Sequence, residues 1–280
     1  MKIYILGANG WMGGRFAEYS KAQGHEVFTN RIDISNLPLL VDTFLKVKPD
    51  VVVNFAGVRA YPTIDWCESH KEETVEVNVA GAINASLASI TSGAYMIQIA
   101  SGCIYSGGGD VSFTEEDAPN FFGSFYSRMR IVMQNALKEL PVLQVRIRMP
   151  VSFQVHPRNL ITKIVSYKKV ISVPNSVTVI EDMFPALITL AEKRPVGILN
   201  LVNDGYVEHG DILKAYKEVV DQSHTYELID VKELEKSVVV APRSNCVLSN
   251  EKLKSLGISM PELTTSRLKD IMVTYKQSLT

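Results

Sequence analysis

Short apolar runs that suit β-strands alternate with longer stretches of helical periodicity over about the first 150 residues of the chain. The first four runs are IYIL, HEVF, VVVNFAG and YMIQIA, and a helical pattern or a loop and a helix follow each of them. Strand then helix, repeated, predicts a parallel sheet with helices on both faces. Since crossovers in such sheets are right-handed, we expect an α/β fold with a doubly wound sheet. Its ligand crevice would lie beyond the carboxyl ends of the strands.

The alternation loosens after Pro150, where shorter strands and polar loops follow. This change predicts a smaller C-terminal lobe beside the main one. We place the main lobe at residues 1–150, with residues 177–203 returning to it, and the smaller lobe at residues 151–176 and 204–280.

A glycine-rich loop follows the first strand directly and opens the first helix. Gly7 permits the tight turn, Gly10 lets the backbone approach a pyrophosphate, and the helix N-terminus faces the anion. This context favours a dinucleotide cofactor over an ordinary turn, and it makes the main lobe the cofactor-binding one. The loop residues that we expect to contact the cofactor are Gly7, Asn9, Gly10, Trp11, Met12 and Gly13.

The residues after the second strand distinguish NADPH from NADH. NAD enzymes place an acidic residue there for the ribose 2′-hydroxyl, whereas this chain has Thr29, Asn30 and Arg31. A guanidinium pairs well with a 2′-phosphate, so NADPH is favoured. The alternative is that Arg31 is a solvated loop charge, and NADH then stays a candidate. The remaining candidate cofactor contacts are Asp33 and Ile34 near the adenine, Asn54, Ala56 and Gly57 at the end of the third strand, and Met149.

Two hydroxyl groups and a thiol follow the fourth strand. Ser101 and Cys103 leave its carboxyl end, and Tyr126 begins a helix one loop later. A serine and a tyrosine hydroxyl that converge there could hold a carbonyl oxygen and protonate it as hydride reaches the carbon. Taken singly, a turn serine and a core tyrosine are the more ordinary interpretations. Together with the glycine loop, the pair favours a reductase.

Composition excludes several other classes of protein. A net charge of −1 gives no positive field to hold nucleic acid or an anionic membrane. The start resembles no signal peptide, and no stretch reaches about 18 apolar residues, so we expect a soluble, cytoplasmic protein. The three scattered cysteines favour neither a disulfide framework nor a metal site.

Several stretches resemble one group of enzymes specifically. The chain is similar to the extended short-chain dehydrogenases with a Rossmann fold that make deoxysugar nucleotides. Within them it is most similar to the 3,5-epimerase/4-reductases of UDP-L-rhamnose synthesis and to dTDP-4-dehydrorhamnose reductases. The resemblance spans residues 7 to 245, and PRNLITK and APRSN are its most specific parts. The matching stretches are GANGWMGG, DWCESHKEETVEVNVAG, SGCIYS, EEDAPNFFGSFYS, RIRMP, PRNLITKI, VPNSVTV and APRSN.

The resemblance implies catalytic roles for five of these residues. Ser101 and Tyr126 bind the carbonyl and donate the proton, Asn78 helps in the relay, and Cys103 and Lys163 form the acid/base pair of epimerisation. A 4-keto group acidifies the C3 and C5 protons, so one group must remove a proton and another must return one to the opposite face. A buried cysteine and a surface lysine are the plainer alternatives.

The resemblance also implies a substrate site in the smaller lobe. Arg243, Arg158, Asn159 and Asn175 would meet the nucleotide diphosphate and base, where the arginine fork suits a diphosphate. A solvated loop charge is the alternative for Arg158. The partner is then a small nucleotide sugar, and a homodimer is possible because many members of the family are dimers.

One position departs from the family pattern. Arg130 stands where the Tyr-x-x-x-Lys pattern has lysine, four residues after Tyr126 and on the same helical face. Lysine there binds the nicotinamide ribose in the family, so the resemblance implies that Tyr126 and Arg130 contact the cofactor and that Arg130 is a catalytic residue. Arginine keeps the positive charge but has a bulkier, planar head that does not lose its proton near neutral pH. Three hypotheses follow: a bifunctional epimerase/reductase with NADPH, a 4-ketoreductase alone, and a regulatory subunit that binds NADPH without turnover.

Overall fold

The computed structural model describes residues 1–58, 63–237 and 239–279, and its contacts divide the chain into two compact units. The first unit consists of Met1–Ile104, Pro119–Arg146 and Leu187–Leu199. The second consists of Tyr105–Ala118, Ile147–Ala186 and Asn200–Thr280. The segments that pack in the second unit but were expected in the main lobe are residues 105–118, 147–150, 177–186 and 200–203. The assignment of cofactor and substrate to separate lobes stays a prediction.

Strands and helices alternate along the chain, and in the first unit they do so as the sequence predicts. The strands are β1 (Lys2–Leu6), β2 (Glu26–Phe28), β3 (Val51–Asn54), β4 (Tyr95–Ser101), β5 (Gly107–Phe113), β6 (Leu143–Ile147), β7 (Pro150–Val151), β8 (Lys169–Ile171), β9 (Thr178–Val179), β10 (Gly197–Asn200), β11 (Glu227–Ile229) and β12 (Cys246–Leu248). The helices are α1 (Trp11–Ala22), α2 (Leu37–Val47), α3 (Trp66–Ser69), α4 (Lys71–Val75), α5 (Gly81–Ser92), α6 (Phe125–Leu137), α7 (Leu160–Val165), α8 (Ile180–Lys193), α9 (His209–Val219), α10 (Val231–Ser237), α11 (Glu251–Ser255) and α12 (Thr265–Gln277). A π-helical turn, Glu76–Ala80, joins α4 to α5.

A six-stranded sheet in the order β10-β6-β4-β3-β1-β2 forms the centre of the first unit. The pairings of β1 with β2, β1 with β3, and β3 with β4 are parallel. Because β1 lies between β2 and β3, the strand order reverses between β1 and β3, and a ligand crevice forms at such a switch point. The predicted α/β fold with a parallel sheet is confirmed.

The core of the first unit explains why its strands are almost continuously apolar. Every residue of β3 is buried, as expected for a strand covered on both faces. Ala82, Ala85 and Ala88 of α5 are buried in this core, and their small side chains let the helix pack closely against its neighbours. The Ser86 and Ser89 hydroxyls donate to carbonyls one turn earlier, so these buried polar atoms are satisfied within the helix.

Three parallel two-stranded pairings belong wholly to the second unit: β5 with β12, β7 with β9, and β8 with β11. Strands β7, β8 and β9 contribute Val151, Val170 and Val179 to an apolar core. To the same core α7, α9 and α12 contribute Ile161, Leu213 and Ile271. The sequence predicts the helix from Leu160 and the strand near Val170, and both are present. Among the described residues, no helix combines the length and the apolar character needed to cross a bilayer.

Candidate cofactor and catalytic site

The glycine loop and the end of β3 approach each other closely. Gly7 has a φ of 75°, and a Cβ placed on it would lie 2.5 Å from the Ala56 nitrogen. A Cβ on Gly13 would lie 2.5 Å from the Gly7 oxygen, and the Gly10 amide donates to that oxygen at 2.9 Å. Gly10 is the N-cap residue that precedes α1, and no side chain caps the helix there. The helix N-terminus is therefore open to an anion. This cradle, which also contains Asn9, Trp11 and Met12, fits the pyrophosphate of a dinucleotide.

Asn54 shapes the turn after β3 from inside the protein. Its side chain is fully buried, and its Nδ2 donates to the Gln98 Oε1 at 2.8 Å. Its Oδ1 accepts from the Ala56 amide at 2.9 Å. Asn54 therefore holds Ala56 in place against the glycine loop, and its predicted direct contact with the cofactor stays a prediction. Gln98, in the middle of an apolar run, was not singled out from the sequence.

The loop after β2 presents a positive charge. Arg31 is exposed, and we find no ion pair or hydrogen bond for its side chain within the described part of the chain. Asp33 accepts hydrogen bonds from the Ser35 amide and hydroxyl, both at 2.9 Å, and these bonds lower the pKa of the Asp33 carboxyl. Arg31 is thus available to a 2′-phosphate.

Two residues of α5 fix the same loop and were missed from the sequence. The Asn84 Nδ2 donates to the carbonyls of Ile34 and Ser35 at 3.2 and 2.9 Å. A Cβ on Gly81 would lie 2.5 Å from the Ile34 Cδ1, so glycine lets the buried Ile34 side chain pack against α5. In the sequence they are a glycine and an asparagine within a helical pattern, and nothing in that pattern links them to the loop after β2.

Ser101 and Cys103 form one turn at the end of β4. The Cys103 amide donates to the Ser101 Oγ at 3.1 Å, and Ser101 is buried. Because this bond uses a lone pair of Oγ, the serine hydroxyl proton remains available to another acceptor. The Cys103 thiol is half-buried, so a small ligand can reach it.

Tyr126 lies in the first turn of α6, where two polar groups fix the start of the helix. The Ser124 Oγ accepts from the Ser127 amide at 3.1 Å and caps the helix. The Glu68 Oε1, from α3, accepts from the Phe125 amide at 2.6 Å. Tyr126 is 4% exposed, so it is packed inside the unit. Glu68 was not singled out from the sequence.

Arg130 places a buried cation beside Tyr126. The guanidinium lies 5.1 Å from the Tyr126 ring centroid, and the residue is 8% exposed. Its Nη1 has only a weak contact, at 3.8 Å, with the Met133 sulfur, and its Nε has no hydrogen-bond partner in the described part of the chain. A buried cation without an acceptor is costly, so the donors of Arg130 fit the oxygens of a bound cofactor.

Asn78 lies on the π-helical turn and is bound to backbone. Its Oδ1 accepts from the Val58 amide at 2.8 Å, and its Nδ2 donates to the Val58 carbonyl at 2.7 Å. These two bonds fix the segment that follows β3. The predicted part of Asn78 in a proton relay stays a prediction.

In the second unit, Lys163 lies on α7 and is half-buried. Asn159 caps this helix: its Oδ1 accepts from the Ile161 amide, and its Nδ2 donates to the carbonyls of Ser152 and Gln154. Asn159 is fully buried, so the structure gives it the role of positioning α7, and direct substrate contact stays a prediction. Arg158 next to it is exposed.

Asn175 and the buried Arg148 hold the APRSN segment. The Arg148 Nη2 donates to the Asn175 Oδ1 at 2.6 Å and to the Ser244 carbonyl. The Cys246 amide donates to the same Asn175 oxygen at 3.0 Å. Arg243 is partly buried, and its Nη1 donates to the Ala241 carbonyl at 2.7 Å. Arg148 was missed from the sequence, where an arginine within an apolar strand reads as a surface charge.

Met149 follows Arg148 in a strained conformation. Its φ of 38° lies in the left-handed region, which a non-glycine residue before a proline rarely adopts. Such strain costs about 1–3 kcal/mol and is concentrated at functional sites. The strain is consistent with the predicted cofactor contact of Met149, which stays a prediction.

Comparison with known proteins places the chain in a family. The model of the RmlD substrate binding domain matches residues 1–276. A bifunctional dTDP-4-dehydrorhamnose 3,5-epimerase/dTDP-4-dehydrorhamnose reductase of Arabidopsis thaliana is 39% identical over 97% of this chain and 91% of its own length. A trifunctional UDP-glucose 4,6-dehydratase/UDP-4-keto-6-deoxy-D-glucose 3,5-epimerase/UDP-4-keto-L-rhamnose-reductase of the same plant is 37% identical over 98% of this chain, which spans 41% of that longer protein.

Solved structures agree with this family. The UDP-rhamnose synthase of Acanthamoeba polyphaga mimivirus superposes with a TM-score of 0.92 at 30% identity and covers 98% of this chain and 99% of its own. A dTDP-4-dehydrorhamnose reductase from Clostridium acetobutylicum superposes with a TM-score of 0.82 at 21% identity over 97% and 98% of the two chains, which shows a shared fold. The predicted resemblance is confirmed, and the chain belongs to the family of the RmlD substrate binding domain.

Proposed function

We propose that this chain is a bifunctional enzyme that epimerises a nucleotide-linked 4-keto-6-deoxyglucose at C3 and C5 and then reduces it at C4 with NADPH. The observation that carries the proposal is the single turn that joins Ser101 to Cys103 by a hydrogen bond of 3.1 Å, in the same unit as the buried Tyr126. The names of the Arabidopsis thaliana relatives, which combine epimerase and reductase, support it.

In the reduction, the chain supplies a proton and orients the ketone. Bound NADPH supplies the hydride to C4. The Ser101 hydroxyl, whose oxygen already accepts from the Cys103 amide, donates to the ketone oxygen. The Tyr126 hydroxyl transfers its proton to the same oxygen, and the Arg130 cation, 5.1 Å from the ring centroid, faces the negative charge left on the phenolate.

In the epimerisation, two groups exchange protons with carbon. The ketone acidifies the C3 and C5 protons, and the enolate oxygen takes the hydrogen bond of Ser101. The Cys103 thiolate removes a proton from one face, and the Lys163 ammonium returns one to the other face. A cysteine suits this step because its thiolate is accessible near neutral pH and this thiol is half-buried.

The decisive experiment uses heavy water without NADPH. UDP- and dTDP-4-keto-6-deoxyglucose are incubated with the wild-type chain, and mass spectrometry then measures deuterium at C3 and C5. We expect both positions to gain deuterium with the preferred nucleotide, and Cys103→Ala to lose the exchange. If the wild type gives no exchange, or Cys103→Ala leaves the exchange unchanged, the epimerase half is wrong.

The presence of Arg130 in place of lysine gives a specific reason to test two other candidates. A 4-ketoreductase alone would oxidise NADPH only with the L-configured keto sugar. A regulatory subunit would bind NADPH tightly, turn over neither sugar, and gain turnover in Arg130→Lys. Oxidation of NADPH by the wild type with UDP- or dTDP-4-keto-6-deoxyglucose contradicts both.

A further inference from the structure

The head of an arginine needs more room than that of a lysine, and the room at Arg130 comes from one glycine. A Cβ placed on Gly57 would lie 3.0 Å from the Arg130 Nη2. Contacts this short require the neighbour to move by a few tenths of an ångström. The empty side of Gly57 is thus already filled by a guanidinium of this chain.

Backbone conformation does not explain why residue 57 is glycine. The φ angle of Gly57 lies outside the left-handed region, so an alanine could adopt the same backbone. The explanation must come from the space beside it. The sequence predicts Gly57 as a direct cofactor contact, for which glycine would allow close approach of the cofactor to the backbone. That explanation has a different consequence.

The second neighbour of Gly57 is Asn78, whose side chain is held in place by hydrogen bonds. The same Cβ would lie 3.1 Å from the Asn78 Oδ1, and that oxygen is held by the Val58 amide at 2.8 Å. The Asn78 Nδ2 is held as well, by the Val58 carbonyl at 2.7 Å. An added methyl group would therefore displace the Arg130 guanidinium, which among the described residues contacts the Met133 sulfur at 3.8 Å and lies over the Tyr126 ring.

We propose that Gly57 is a positioning residue whose missing side chain seats the Arg130 guanidinium so that its unused donors face the cofactor. The guanidinium is buried, and its Nε has no acceptor within the described residues, so its direction decides what it can bind. Lysine, with a thin stem and a compact head, does not need this space. The inference rests on the proposed binding of NADPH.

The test is a double-mutant cycle of Gly57→Ala and Arg130→Lys, with the dissociation constant of NADPH measured by quenching of protein fluorescence. Since the displaced guanidinium would lose a charge-assisted hydrogen bond to the cofactor, we expect Gly57→Ala alone to weaken NADPH binding by about tenfold. In the Arg130→Lys background the same change should weaken it by less than about twofold. An equal loss in both backgrounds overturns the proposal and favours close approach of the cofactor to Gly57. No loss in either background overturns it as well.

Thermal unfolding without cofactor tests independently whether Gly57 positions the Arg130 guanidinium. Overpacking next to a held side chain should lower the melting temperature of Gly57→Ala by about 3 °C with Arg130 present and by less than about 1 °C with lysine. The matched control is Gly93→Ala. Gly93 has a left-handed φ of 76°, and a Cβ placed on it would have no neighbour among the described residues within 4 Å. An alanine there should lower stability through backbone strain without changing NADPH binding. If the wild type binds no NADPH but the effects of Gly57→Ala and Arg130→Lys on the melting temperature are not additive, the proposed function is wrong while the positioning of Arg130 by Gly57 is supported. Additive melting temperatures contradict the seating itself.

Discussion

The two units form their candidate sites by different means. In the first unit, the loop that fits a dinucleotide is made of backbone, because Gly7 and Gly13 have no room for a side chain. In the second unit, buried polar side chains hold the segments that carry Lys163 and Arg243: Asn159 caps α7, and Arg148 with Asn175 fixes APRSN. Mutations of Tyr126 and Arg31 in the first unit should therefore affect chemistry and binding, whereas mutations of the buried polar groups in the second unit should affect the fold itself.

The largest effect tests the chemistry of the first unit. Tyr126→Phe should lower kcat for NADPH oxidation with the keto sugar by about 10²–10⁴-fold, because the proton donor is lost. NADPH binding should stay within about twofold, since the buried ring remains. The matched control is Tyr95→Phe, in the same unit, whose hydroxyl donates to the Pro195 carbonyl away from the candidate site. A normal kcat in Tyr126→Phe would show that another group donates the proton.

The next effect tests whether the second unit depends on its buried polar groups. Arg148→Met removes the donors to Asn175 and to the Ser244 carbonyl, and we expect the free energy of unfolding in urea to fall by about 3 kcal/mol. The same substitution at the exposed Arg158 should change it by less than about 0.5 kcal/mol. Equal losses would show that the second unit does not depend on its buried polar groups.

A smaller effect tests cofactor choice. Arg31→Ala should weaken NADPH binding by about tenfold, because one charge-assisted contact with the 2′-phosphate is lost. Binding of NADH, which has no such phosphate, should not change, and the folded state should be as stable as before because Arg31 is exposed. Equal effects on both cofactors would remove the proposed role of Arg31.

The smallest effect concerns pH in the second unit. His209 begins α9 and is buried, and its Nδ1 donates to the Ile171 carbonyl at 3.1 Å. Burial lowers its pKa below the ordinary value of 6.5, and the nearby Arg148 lowers it further. The unfolded chain then binds a proton more readily than the folded chain, so stability is full above pH 6.5 and falls as the pH drops below it. Urea unfolding at pH 7 and pH 5 should show this loss, and His209→Gln should reduce it. An unchanged loss in the variant would assign it to other groups.

The part of the fold that follows from the sequence is the part with local patterns. Apolar runs with turn signals predicted β1, β3 and β4, and α6 begins at Phe125, next to Tyr126, where the sequence predicts a helix start. Strand β5 was predicted as a loop, because GGGDVSF contains three glycines. It is a strand because it pairs with β12, more than a hundred residues later, and local patterns do not show such pairing.

The candidate site divides in the same way. The glycine loop, Ser101 and Tyr126 could be found because each lies at the end of a predicted strand or the start of a predicted helix. Glu68 and Gln98 were missed, because their partners are 57 and 44 residues away in sequence. A polar residue that positions another across such a distance has no signal in one sequence.

The central claim is that one chain performs both proton exchange and hydride transfer on one sugar. The most direct measurement is the NMR spectrum of the product formed in heavy water from unlabelled NADPH and either UDP- or dTDP-4-keto-6-deoxyglucose, whichever nucleotide the chain prefers. The account predicts an L-rhamnose nucleotide with deuterium at C3 and C5 and protium at C4, since the hydride comes from the cofactor. A reduced sugar with protium at C3 and C5 would contradict it, and so would recovery of the keto sugar with no product at all.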